Sequence, residues 1–249
     1  FCATKLARGA FESKPVEMIV EEARKAISSG AKELQLSSQD IGCYGFDLKT
    51  NIARTVKELN GLDGRFRIRI GMGSPQHMEK YAGELAEALN EPKTYKFIHI
   101  PVQSGSDEVL QAMKRTYTVE QCRKLIARLR HEVPGLMVGT DMIVGFPGET
   151  EAQHQESMAF LEETRFDVVN VSKYSKREGT KAAEMPQVLT QVKKKRAEEM
   201  SRICLQIARE INRESIGKRF TVLLTEKAKR GYVAGRNDSY KTVLVKEKQ

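Results

Sequence analysis

The chain has 249 residues, 40% hydrophobic and 30% charged; that suits one large domain, or a domain of about 200 residues with a small appendage, and no run approaches the ~20 apolar residues of a membrane span. Lys and Arg outnumber Asp and Glu by 42 to 33, a net charge of +9, which favours a polyanionic partner such as RNA or a membrane surface over a merely basic soluble enzyme. The four cysteines, Cys2, Cys43, Cys122 and Cys204, are too scattered for a zinc knuckle or a redox pair and fit a reducing, cytoplasmic compartment.

Pro15 opens a predicted helix whose apolar residues Val16, Ile19, Val20, Ala23 and Ile27 share one face, and Gly30 closes it. ELQLS (33–37) reads as a strand, 50–60 as a helix, and RFRIRI (65–70) alternates like a strand. Ser74-Pro75 starts a helix running to about Asn90, followed by the strand FIHIPV (97–102). Thr118 with Gln121 and Thr150 with Gln153 have capping-box spacing. Between those two helices lies LMVGTDMIVGF (136–146), a buried strand, and DVVNVSKY (167–174) is the fifth. Cys122 falls within one helical pattern and Cys204 within another, as small core residues.

Strands alternating with helices imply βαβ units and a parallel sheet. The opening FCATKLARG reads as a loop after a strand absent from this sequence, so the expected class is α/β, an open, partial barrel of six units without the first strand. A charged helix follows at about 190–216, then the short strands FTVLLTE (220–226), GYVAGRN (231–237) and YKTVLVK (240–246), a small all-β module cut short at its end. The expected division is 1–189, 190–216 and 217–249.

The polar clusters occupy one place in each unit. Gln39, Asp40 and Gly45 follow the first visible strand, Gly71, Gly73 and Ser74 the second, and Gln103, Ser104, Gly105 and Ser106 the third. Asp141 lies within the fourth, which Gly145, Phe146, Pro147, Gly148 and Glu149 follow; Lys173, Tyr174, Ser175 and Arg177 end the fifth. In a parallel β/α barrel these positions meet at the C-terminal rim, where active sites lie. GFPGET either makes a turn with Thr150 as cap or opens the backbone to a flat ligand such as a nucleoside. Asp141 is a hydrogen-bond anchor or a site carboxylate. His99 reads as a satisfied rim histidine ahead of a catalytic one, and Arg115 as an anion ligand or an exposed helix-end residue.

The ordered set FCATKLARG, LSSQDIGCYG, RIRIGMGSP, HIPVQSGSDEVLQAMKRTYT, TDMIVGFPGET and YSKREGTKAA closely resembles the methylthiotransferase branch of the radical S-adenosylmethionine (SAM) enzymes, along nearly the whole chain. The last module resembles a TRAM domain, an RNA-binding appendage of that family. By this resemblance Cys2 is the third thiolate of a C-x-x-x-C-x-x-C set holding a 4Fe–4S cluster, whose open iron takes the amino and carboxylate groups of SAM. The other two cysteines would lie upstream of Phe1, and a second 4Fe–4S cluster would belong to an N-terminal domain missing here. The sequence then represents a core fragment, unable to perform the full reaction alone. That reaction uses one SAM to methylate a cluster sulfur and cleaves another to a radical that opens a C–H bond for the methylthio group. An electron donor is required.

The resemblance places Gln39 and Asp40 by the methionine end of SAM, Gln103, Ser104 and Ser106 between SAM and substrate, Arg115 facing the SAM carboxylate, and Asp141 among the cofactor contacts. Ile143 and the turn Gly145–Glu149 would pack near the adenine, Lys5 and Arg8 would steady the cluster or a phosphate, and Cys43 would be structural. QDIGCYG, QVKKKRAEEMSR and YKTVLVK resemble the archaeal and eukaryotic branch, which modifies N6-threonylcarbamoyladenosine at tRNA position 37. Lys193, Lys194, Lys195, Arg196, Lys227, Lys229, Arg230 and Arg236 would follow the RNA backbone, although the KKKR run is equally read as a solvated helix face. Alternatives are isopentenyl-adenosine tRNA or a ribosomal protein as substrate, and an inactive RNA-binding fragment.

Overall fold

The computed structural model describes Gly9, residues 11–229 and residues 231–246. Five parallel strands run in chain order: β1 (Glu33–Leu36), β2 (Arg67–Ile70), β3 (Phe97–His99), β4 (Met137–Val144) and β5 (Val168–Lys173). β1 pairs with β2, and β3, β4 and β5 form a second parallel sheet. Isolated parallel bridges, Ile68 to Thr94 and Met72 to His99, join the two across β2 and β3. β3 stops where Pro101 removes a donor, but the ladder resumes at Gln103, whose N–H donates to Asp141 O at 2.8 Å and whose carbonyl accepts from Ile143 N–H at 2.9 Å.

Between the strands lie α1 (Val16–Ser28, before β1), α2 (Ile52–Asn60), α3 (Pro75–Met78), α4 (Ala82–Asn90), α5 (Asp107–Ala112), α6 (Val119–Glu132) and α7 (Glu151–Thr164). Both capping boxes form as the spacing predicts, Thr118 with Gln121 and Thr150 with Gln153. The helix expected over 74–90 is instead broken at Tyr81, whose φ of −137° leaves the helical region while its hydroxyl donates to Gly42 O at 2.9 Å. After β5 come α8 (Lys181–Glu184) and the long α9 (Thr190–Arg213). α9 is more than a connector: Met200 and Ile207 are buried, and it packs on β5 and α7. Among the described residues no helix is long and apolar enough to cross a membrane.

Right-handed crossovers between strands taken in order put their helices on one side of the sheet. The helix-facing residues are accordingly apolar: Ile68, Ile70, Ile98, Val138, Met142 and Val144 are completely buried against the helices. The alternate residues share the other face. His99 stands beside Gly139 and Val168 in register, and Asp141 beside Asn170. With Arg67 and Arg69 of β2 they make that face polar.

The last three strands, β6 (Val222–Lys227), β7 (Tyr232–Asn237) and β8 (Thr242–Lys246), form an antiparallel sheet with a bulge between Leu224 and Glu226. Its β7–β8 turn docks on the N-terminal ends of β2, β3 and β4. Lys96 N–H donates to Asp238 O at 2.8 Å, Arg67 pairs with the Asp238 carboxylate at 2.6 Å, and Ser239 Oγ donates to Gly135 O at 2.8 Å. Tyr240, at φ 62°, sets its ring 4.9 Å from Tyr95 and 5.4 Å from Phe97 between centroids.

The loop after β3 touches α7 without clearance. A Cβ on Gly105 would lie 2.6 Å from Ser157 Cα and 2.8 Å from Phe160 Cβ. Gly105→Ala must displace α7 and is expected to cost about 1–3 kcal/mol, read as a lower urea midpoint with an unchanged slope.

Candidate functional site

The rim is assembled by hydrogen bonds that tie each βα loop to its neighbour. After β1, Asp40 caps the 3₁₀ turn Ile41–Cys43: its Oδ1 accepts from Gly42 N–H at 3.0 Å and, across to the loop after β2, from Ser74 N–H at 2.9 Å. Its Oδ2 lies 3.0 Å from His77 Nδ1. Ligand-type atoms of Asp40, Cys43 and His77 lie within 4.8 Å of one another. However, both Asp40 oxygens are already engaged, and burial, with the Asp40 charge next, pushes the Cys43 thiol up to about 11. The cluster ties the loops after β1 and β2 together. Gln39 beside it is exposed.

After β3, Gln103 is buried and held at φ 77°, a conformation that costs a non-glycine residue free energy and recurs at ligand sites. Ser104 is turned the other way. Its Oγ is 3.3 Å from Ser157 Oγ on α7 and accepts from Ser106 N–H at 3.2 Å, so it organises the loop from behind. Ser106 Oγ is buried without a hydrogen-bond partner among the described residues. Arg115 is half-buried just beyond α5, where Lys114 turns the chain at φ 60°.

After β4, Gly145 takes φ 70° and Gly148 φ 83°. The Glu149 side chain turns inward. It is buried, accepts from Gly145 N–H at 2.7 Å and pairs with Arg196 Nη1 at 2.8 Å; Arg196 also donates to Glu149 O at 2.9 Å and approaches Glu151 at 3.3 Å. Burial raises the Glu149 pKa, against Gly145 N–H and Arg196. Arg196 therefore stands apart from the lysines with which its sequence run groups it: it is 5% exposed and pins α9 to the turn, which keeps it from following an RNA backbone. Lys193 is likewise engaged, donating to Tyr174 O at 3.3 Å with its ammonium over the Tyr174 ring. Lys194, Lys195, Lys227 and Lys229 are exposed, and Arg236 is half-buried over Tyr240. Cys2, Lys5, Arg8 and Arg230 lie outside the described residues.

Ile143 joins a small apolar cluster with Val109, Met113, Phe146, Tyr174 and Ala182. Phe146 and Tyr174 meet edge to face at 5.3 Å, and the Tyr174 hydroxyl is buried without a hydrogen-bond partner among the described residues. This is a small buried apolar cluster behind the rim that encloses one polar atom without a partner among the described residues. Lower on the same sheet face, Asn170 Nδ2 donates to Asp141 Oδ1 at 2.8 Å, and His99 Nε2 approaches that oxygen at 3.0 Å, off the line of a full hydrogen bond. Burial opposes the Asp141 charge, but His99 and Asn170 outweigh it and hold its pKa below the usual range. Asp141 is thus a carboxylate held in place by Asn170 and His99. Sequence reasoning missed His77, Ser157, Asn170 and Arg69; only Arg69 carried a signal, the alternation of RFRIRI.

The Radical SAM superfamily model matches residues 1–161. The chain belongs to this superfamily. It is 45% identical over 99% of its length to a Pyrococcus horikoshii protein named "Probable threonylcarbamoyladenosine tRNA methylthiotransferase", and 39% identical over 98% to the human threonylcarbamoyladenosine tRNA methylthiotransferase. It spans only 58% and 42% of those proteins. Among solved structures it resembles coproporphyrinogen III oxidase (HemN) from Escherichia coli, with TM-score 0.58, 17% identity, and 77% of this chain and 46% of that one covered. It also resembles a radical SAM methyltransferase from Kitasatospora setae, with TM-score 0.50, 17% identity, and 64% and 30% covered. Both likenesses concern the fold.

Superfamily membership implies a 4Fe–4S cluster and SAM. Cys43, Cys122 and Cys204, the cysteines among the described residues, stand apart, with burial pushing Cys122 up to about 12 and Cys204 to about 11. They do not fit a thiolate set for the cluster. Gln103 and Ile143, paired in the ladder, and the Phe146–Tyr174 ring pair are the rim groups whose chemistry suits an aromatic cofactor.

Two outcomes test this site. Arg196→Met leaves Glu149 buried without its cation and is expected to lose about 3–5 kcal/mol, while adding Glu149→Gln recovers most of it; urea unfolding measures both. The depressed Asp141 pKa contributes stability that is complete above its unfolded value of about 3.9 and fades as pH falls through the lower folded value. The stability gap between wild type and Asp141→Asn should therefore narrow below about pH 4, followed by denaturation across pH 6 to 2.5.

Proposed function

We propose that this chain is the core of a radical SAM methylthiotransferase acting on N6-threonylcarbamoyladenosine at tRNA position 37. The observation that carries the reading is similarity to proteins of that name through essentially all of this chain, 45% and 39% identical in two cases. The net charge of +9 supports a nucleic-acid substrate.

In this reading the five strands are part of an open six-unit barrel within 1–189, 190–216 joins it to the rest, and 217–249 is a TRAM-like RNA-binding module. Cys2 is the third thiolate of the SAM-binding cluster, and a second cluster belongs to the part of the protein outside this chain. The bound cluster and SAM supply the radical chemistry and the methylthio group. The chain's own residues receive and orient the reactants. Gln103, Ile143, Phe146 and Tyr174 would hold the adenine of SAM, Ser106 would be available to it, and the Asp40 and Glu149 staples hold the loops of that part of the rim. Lys194, Lys195, Lys227 and Lys229 are the exposed cations left to meet RNA phosphates.

The test uses the full-length protein, anaerobically reconstituted with iron and sulfide. Cys2→Ala should lose one cluster's iron and abolish reductive cleavage of SAM to 5′-deoxyadenosine. Unchanged iron and cleavage would overturn the assignment and favour an RNA-binding module without activity.

A further inference from the structure

We infer that Arg69 is the residue that recognises the substrate's threonyl carboxylate, on a polar face whose floor is supplied in part by Tyr240 of the C-terminal module. The inference rests on the substrate proposed above. N6-threonylcarbamoyladenosine differs from adenosine and from isopentenyladenosine in one decisive way: its arm ends in a free carboxylate. An enzyme that selects it needs a cation aimed at that group.

Arg67 and Arg69 share the sheet face turned away from the helices, two residues apart on β2. Their circumstances differ. Arg67 is spent: it pairs with Asp238 at 2.6 Å, donates to Pro92 O at 2.9 Å and lies 5.0 Å over the Tyr95 ring. Arg69 has no carboxylate within ion-pairing distance among the described residues, and its Nε is buried with no hydrogen-bond partner. Its guanidinium carbon lies 5.4 Å from the Phe97 ring centre and 5.0 Å from that of Tyr240. The nearby acid, Glu33, is occupied by the Tyr95 hydroxyl at 3.0 Å and lies 3.5 Å from that of Tyr240.

A guanidinium fixed against two aromatic rings is oriented by its faces, while the N–H groups at its edge stay unspent. Carboxylates dock bidentately on that edge. A half-buried cation without a counter-ion is costly unless something pays for it, and an anionic ligand supplies the missing charge. The depth is suitable. Arg69 lies two residues below Gly71 at the rim, roughly 7 Å along the strand. The arm from the purine nitrogen to the carboxyl carbon spans roughly 5 Å by its bond lengths, and the purine edge covers the remainder. An isopentenyl arm would leave the guanidinium unpaired, so the same residue selects against it.

The measurement is equilibrium binding of anticodon stem–loop RNAs to the full-length protein by fluorescence anisotropy at one salt concentration. The RNAs carry threonylcarbamoyladenosine, its methyl ester, isopentenyladenosine or adenosine at the same position. Wild type should prefer the threonylcarbamoyl RNA by about tenfold or more over the ester and adenosine RNAs, the range expected of hydrogen bonds to a charged group. Arg69→Gln should abolish that preference and leave the affinity for the adenosine RNA within about twofold, since phosphate contacts supply it. Arg69→Lys, which keeps the charge and loses the fork, should fall between, and circular dichroism of both variants checks folding. If Arg69→Gln or a folded Arg69→Lys retains the full preference, the inference is overturned and the substrate reading stands. If wild type itself shows no preference for the threonylcarbamoyl RNA, the substrate reading falls and the inference with it.

Discussion

The handedness of the crossover is the constraint on which this molecule depends. Parallel strands joined in order by right-handed connections carry their helices on one side. Burial of Ile68, Ile70, Ile98, Val138, Met142 and Val144 against those helices provides the apolar core. Because that side takes the apolar half of each strand, the alternate residues are free to be polar. Arg69, His99, Asp141 and Asn170 occupy positions that a two-sided sheet would have filled with valine or isoleucine.

The rim above this face is made rigid by charge and hydrogen bonds set behind it. Asp40 joins the loops after β1 and β2; Ser157 joins the loop after β3 to α7; Glu149 and Arg196 join the loop after β4 to α9. None of these groups needs to touch a ligand to matter, since each fixes backbone whose position decides where a ligand sits. α9 therefore does two jobs: it covers β5 and supplies the cation that neutralises a buried carboxylate beneath the glycine-rich turn.

Much of this was written locally in the chain. The helical periods, the two capping boxes and the period-two strands reflect interactions within a few residues, so pattern alone located the eight strands of the described residues. The break at Tyr81 did not show, because its cause is a hydroxyl reaching Gly42, far away in sequence. The burial and partners of Ser104, Glu149 and Arg196 did not show for the same reason: a polar residue in a loop looks the same whether it faces outward or toward the neighbouring helix. The role proposed for Cys2 comes from family resemblance alone, since no pattern of spacing in this chain contains it.

The docking of the β7–β8 turn also bears on how such proteins diversify. Asp238, Ser239 and Tyr240 meet Arg67, Gly135, Tyr95 and Phe97, so the C-terminal module is keyed to its own sheet. Grafting a foreign module here, by recombination or by hand, would bring an unmatched key, stranding the cation of Arg67 and uncovering the rings at the foot of the strands. A swapped module would dock as this one does only if the residues facing it on the sheet were exchanged with it.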